Sequence, residues 1–76
     1  MKDILDILKE IRPEFNFEDS SNFIDDGYLD SFDLVALVSA IEEKYSIVID
    51  ALDIVPEYFK DLEAISNLIK KSGGKV

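Results

Sequence analysis

Apolar residues recur with helical spacing in three stretches of this chain, and each stretch carries its own start and stop signals. Residues 2 to 12 place Ile4, Leu5, Leu8 and Ile11 at i, i+1, i+4 and i+7, one apolar face of a helix. Asp3 and Asp6 toward its start and Lys9 and Arg12 toward its end match the helix dipole. Pro13 ends it, because the residue before a proline is driven out of the helical region. From Ser31 to Tyr45 the pattern returns, with Leu34, Leu37, Val38, Ile41 and Tyr45 on one face. Asp30 is its natural N-cap, and Asp33 adds negative charge to the same end. A third helix follows Asp61, with Leu62, Ile65, Leu68 and Ile69 facing inward and Lys70 and Lys71 near its C-terminal end.

The segments between these helices are read from composition. Residues 13 to 30 predict a long ordered loop, tacked to the core by Phe15, Phe17, Phe23 and Ile24 and turning at Gly27. "SIVID" (46–50) has the composition of a strand but no partner strand, so a buried loop is expected. Asp53 to Phe59 predicts one short helix with Pro56 in its first turn. "SGGKV" (72–76) is expected to be a flexible tail beyond an ordered body of about 2–71. The fold class is therefore all-α: a small antiparallel four-helix bundle of three longer helices and one short one, with a long first loop. The 76 residues form one domain, 1–76.

Composition narrows the chemistry. A chain this short buries about 60% of its unfolded surface, which leaves little room for an enclosed active site beside a core. With no Cys and no His, disulfides and the usual structural zinc sites are excluded. No apolar run approaches the length of a membrane span, and "MKDILDILKE" is too charged for a signal peptide. A cytoplasmic monomer without membrane insertion is expected.

Seventeen acids against eight bases give a net charge of -9. The imbalance is concentrated, since no base lies between Arg12 and Lys44 while Glu14, Glu18, Asp19, Asp25, Asp26, Asp30, Asp33, Glu42 and Glu43 do. Such a field repels nucleic acid and steers basic protein surfaces toward it. Acidic surface also keeps small proteins soluble, which is the ordinary explanation. No dedicated metal site is expected, although a divalent cation shared between acids near Asp30 and Asp33 should stabilise the fold.

Ser31 stands in the middle of this field, in "DGYLDSFDLV". A nucleophilic serine needs a base, the chain has no His, and the nearest lysine in sequence, Lys44, lies at the far end of the same helix. Asp30 and Asp33 have no cleft in which one carboxyl could be kept protonated for glycosidase chemistry. A calcium loop aligned on Gly27 fails, because Ile24 would fall on a ligand position. Two readings remain, a plain cap and an attachment point. Serine at a helix start is usually a cap, but here Asp30 fills that role and leaves the Ser31 hydroxyl free.

"GYLDSFDLVALVSAIEEKY" resembles the signature of acyl carrier proteins, in which an Asp-Ser-Leu type motif opens the second helix. The likeness extends through helix, long loop, motif helix, short helix and final helix, over about residues 2 to 71. It implies that Ser31 carries 4'-phosphopantetheine from coenzyme A, with Asp30 helping to position a metal and the phosphopantetheinyl transferase. It also implies a partner face of Phe32, Asp33, Leu34, Val35, Glu42 and Glu43, meeting basic patches on acyl-loading, acyl-transferring or condensing enzymes. The carrier would not itself be an enzyme. Two positions depart from carriers of bulk fatty acid synthesis: Ala36 replaces a usual glutamate, and Ser39 replaces an apolar contact residue. The implied role is to shuttle acyl intermediates, held as thioesters on the arm, between enzymes of fatty acid synthesis or of a dedicated acyl or polyketide-type pathway. D-alanine carriers share the Leu-Asp-Ser form and supply an alternative, whereas peptidyl carriers usually place Gly-Gly where this chain has "DDGYLDS". An unmodified acidic interaction module is the alternative from another class.

Overall fold

The computed structural model describes residues 2–75. It is all-helical, with α1 (Lys2–Ile11), α2 (Ser31–Tyr45) and α3 (Leu62–Lys71), and no strand occurs among the described residues. α1 packs against both α2 and α3. The C-terminal end of α1 meets the start of α2, where Arg12 reaches Asp33, and Asp3 at the start of α1 acts on Tyr45 at the end of α2. Burial, and then the Asp3 charge, raise the pKa of the Tyr45 phenol.

The core follows the predicted stripes with local corrections. Ile4 and Leu8 are buried, and so is Ile7, whereas Leu5 and Ile11 lie half-exposed at the margin. Positions 4, 7 and 8 form the i, i+3, i+4 triangle that points at two neighbouring helices at once, and positions 5 and 11 flank it. In α2, Leu34, Leu37, Val38 and Ile41 are buried and Tyr45 packs partly against them. In α3, Ile65, Leu68 and Ile69 are fully enclosed, and Leu62 is only partly covered.

The first loop is packed onto the core by its aromatic side chains. Phe17 and Phe23 are buried, with rings in edge contact at 5.1 Å, while Phe15 stacks on Tyr28 at 4.5 Å. Leu29 is buried as well, just ahead of the motif. Asn22 Oδ1 accepts from the N–H groups of Ile24 and Asp25. The turn closes at Gly27, whose φ of 77° belongs to the left-handed region. Phe23 N–H then donates to the Lys60 carbonyl at 2.6 Å and fixes the loop to the lead-in of α3.

The short fourth helix expected over Asp53–Phe59 does not form as one element. Two 3-10 turns stand in its place, Ala51–Asp53 and Pro56–Tyr58. Asp50 starts the first one early by accepting from Leu52 N–H at 2.9 Å. Pro56 forces the break, since it holds Val55 extended at φ -131°, ψ 152°. Lys71 on α3 ties the two turns down, reaching Asp53 at 2.8 Å and the Tyr58 hydroxyl at 3.2 Å.

Of the residues expected to form a flexible tail, Val76 lies outside the described residues, and Gly73 and Gly74 are bonded to the end of α3. Gly73 N–H donates to Lys70 and Gly74 N–H to Ile69, the paired bonds that close a helix through a left-handed glycine. Gly74 sits so close to α3 that a Cβ there would lie 2.5 Å from Ile69 Cγ2. "SIVID" forms a loop as expected but not a buried one, since Ile49 alone is buried and Val48 is left in solvent.

Candidate functional site

Ser31 is the first residue of α2 and is exposed. The cap belongs to its neighbour: Asp30 is extended, and its Oδ1 accepts from Asp33 N–H at 3.0 Å. Asp33 answers with Oδ2, which accepts from Asp30 N–H at 3.1 Å, so the two aspartates form a reciprocal capping box around the serine. The Ser31 hydroxyl is thus spared from capping and stands beside two carboxylates at the positive end of a helix.

One base enters this corner. Arg12, just beyond α1, donates from Nε to Asp33 Oδ2 at 2.8 Å and from Nη2 to Asp30 Oδ2 at 3.3 Å. Its Nη1 reaches Glu14 at 3.3 Å. The acids around Ser31 are therefore partly compensated, contrary to the expectation from their spacing. The signal in the sequence was Arg12 itself, the last base before the acidic stretch, yet 21 residues separate it from Asp33 and no local rule pairs them. The Asp33 N–H bond is the main reason the Asp30 pKa is lowered; partial desolvation opposes it and the Arg12 charge reinforces it. The Arg12 pKa is raised, above all by its bond to Asp33. The guanidinium occupies the oxygens between which a shared divalent cation was expected. No trio of carboxylates able to hold a metal is found among the described residues.

The other predicted site residues divide between two faces. Phe32 (87% exposed) and Val35 (67%) point into solvent, joined by Ala36, Ser39 and Glu43. Asp33 and Leu34 are buried, at 8% each. Glu42 is turned toward the following loop, where Oε2 accepts from Ile49 N–H at 2.8 Å. The outer side of α2 beginning at Ser31 is consequently apolar or small as far as Ser39, with its one acid, Glu43, a turn further on. The net charge of -9 conceals this neutral strip.

Among known families, the model described as "Phosphopantetheine attachment site" matches residues 2–69. The chain belongs to that family. The match runs from α1 through nearly all of α3, so it rests on the whole helical framework as well as on the motif. No curated protein and no solved structure gives a match. Membership makes the chain a phosphopantetheine carrier, with 4'-phosphopantetheine as its covalently attached cofactor. The corner suits such a group, since an exposed hydroxyl that has no capping duty begins a helix whose N–H groups favour a phosphate. No described helix of this carrier is long and apolar enough to cross a membrane.

Proposed function

We propose that Ser31 is the residue that carries the phosphopantetheine arm, and that the carrier shuttles acyl groups between enzymes in a dedicated acyl pathway. The observation that carries this reading is the division of labour at the start of α2: Asp30 caps, Asp33 completes the box, and Ser31 has no structural duty. Attachment forms a bond from Ser31 Oγ to the phosphorus bearing the pantetheine arm of coenzyme A. The bond from that phosphorus to the adenosine bisphosphate breaks, and the nucleotide leaves. The serine proton passes to the transferase, because the carrier has no His and Lys44 lies at the other end of α2. The arm supplies a thiol, absent from this Cys-free chain, on which a cargo is held as a thioester.

The outer side of α2 sets the partner chemistry we propose. Phe32, Val35, Ala36 and Ser39 favour an apolar complementary surface, not a basic one, on the transferase and on the enzymes that load and unload the arm. Asp33 and Glu42, assigned to that face from the sequence, are used inside the protein instead. This observation also favours a second reading, an aminoacyl carrier of the D-alanine type. Of the three acids that the resemblance places on the partner face, Asp33 and Glu42 are engaged within the protein, and Glu43 alone of the three remains free to dock.

Intact-mass spectrometry after incubation with a broad-specificity transferase and coenzyme A tests the assignment. One arm should be gained by the wild type and none by Ser31→Ala, whose helical circular dichroism should stay unchanged because Asp30 caps. An arm on the Ser31→Ala variant would remove the assignment, and an unmodified wild type would leave the interaction-module reading standing. Offering acyl and aminoacyl adenylating enzymes to the loaded carrier separates the two cargo classes.

A further inference from the structure

α2 and α3 both begin on an aspartate cap, and comparing the two isolates what is special about the start of α2. At α3 the cap is simple: Asp61 Oδ1 accepts from Ala64 N–H at 2.7 Å. That bond suffices to start a ten-residue helix. At α2 the same bond is doubled by the return bond from Asp33 and then clasped by the guanidinium of Arg12, the residue after α1. The additional groups engage Asp30 and Asp33, the aspartates on either side of Ser31 in the sequence.

Their geometry constrains one another. Asp33 Oδ2 serves two donors at once, Asp30 N–H and Arg12 Nε, and Asp33 is buried. Asp30 divides its oxygens, with Oδ1 on Asp33 N–H and Oδ2 on Arg12 Nη2. Rotating either carboxylate breaks a capping bond and an ion pair together. Asp30 is exposed and would otherwise be held by its cap alone. The planar fork of arginine can straddle two carboxylates in this way, and a lysine ammonium cannot.

We propose that Arg12 is the positioning residue of the attachment serine. By clasping Asp30 and Asp33 it fixes the first turn of α2 relative to α1, so that the Ser31 hydroxyl is offered to the transferase in one orientation. It acts through the two aspartates and need not touch the incoming group. Glu14, Asp30 and Asp33 would otherwise place three negative charges at the point where coenzyme A, itself an anion, must arrive, and Arg12 offsets one of them. This inference rests on the assignment of Ser31 as the attachment residue.

The test must distinguish positioning from general support of the fold. Arg12→Gln is compared with Ile65→Val, which trims the core on α3 and costs stability away from the serine. Two quantities are read at 25 °C: steady-state kinetics of arm transfer, and hydrogen exchange of the Asp33 amide. Arg12→Gln should lower kcat about tenfold with KM changed less than about twofold, since a displaced nucleophile slows the bound complex. Its Asp33 amide should exchange about tenfold faster, while amides of α3 change little. Ile65→Val should leave both readings near wild type. Wild-type kcat in Arg12→Gln, or Asp33 exchange that rises only in step with α3, would overturn the proposal. Should Arg12→Gln not fold, Arg12→Lys keeps the charge without the fork and is read in the same way. If the wild type accepts no arm, the assignment of Ser31 fails, and the exchange data still decide whether Arg12 orders the first turn.

Discussion

Replacing Phe32 with alanine separates what α2 contributes to folding from what it offers to a partner. In the free carrier the ring is 87% exposed, so its removal should change stability by no more than about 0.5 kcal/mol. Phe59 is the internal contrast, because at 0% exposure its loss should cost about 3–5 kcal/mol. Docking reverses the position of Phe32. An aromatic side chain buries about 150–250 Å², which at about 25 cal/mol per Å² sets a ceiling of about 3–5 kcal/mol for burying the exposed ring. Ordering the side chain and imperfect contact lower the expected loss to about 2 kcal/mol, or about 30-fold in Kd. The loss should fall on dissociation, because apolar contacts form after encounter. A biosensor measurement with immobilised carrier and the transferase, at low and high sodium chloride, tests this. The ratio of variant to wild-type Kd should be the same at both salt concentrations, since the Phe32 contact carries no charge. A Kd within twofold of wild type would refute the apolar docking face, and a melting temperature lowered as by Phe59→Ala would refute the premise that Phe32 is free.

Two further outcomes follow from backbone and charge. Ser46 ends α2 at φ 55°, ψ 47°, a left-handed conformation that costs an L-residue about 1 kcal/mol. Ser46→Gly should recover about half of that after the larger unfolded-state entropy of glycine, raising the melting temperature by roughly 2–4 °C, and a fall would show that the Ser46 side chain matters more than its backbone. Asp30 has a pKa lowered below 3.8 in the folded state, so the unfolded chain takes up its proton first as acid is added. Its contribution is present above that value and is lost as pH falls through the lowered pKa. Asp30→Asn should retain the cap at neutral pH and flatten the acid limb of the stability curve, and an unchanged acid limb would show that other carboxylates govern it.

Local rules were enough for the helices and their starts. Pro13, Asp30 and Asp61 bound the helices where the chain places them, because a missing N–H or a capping carboxylate acts within one turn and needs no neighbour. The capping arrangement around Ser31 was legible for the same reason, since Asp30 and Asp33 lie within one turn of it. Local spacing was less reliable where two signals competed over Ala51–Tyr58, and there Pro56 and the Asp50 cap divided a single expected helix. It also missed the Gly73 and Gly74 closure, which resembled a loose end in composition.

Tertiary contact decided the rest, and α2 shows why. Its sequence carries apolar residues on two sides, Leu34, Leu37, Val38 and Ile41 on one and Phe32, Val35 and Ala36 on the other. Helical period places residues on faces, but only the arrival of α1 determines which face loses water. The same approach brings Arg12 across 21 residues to Asp33 and removes that carboxylate from the surface. A charge in the sequence has no address until the fold supplies its neighbours. The chain alone therefore specified an acidic helical carrier with a serine at the start of its motif helix, and packing gave that helix a neutral, apolar outer strip beside a clasped corner.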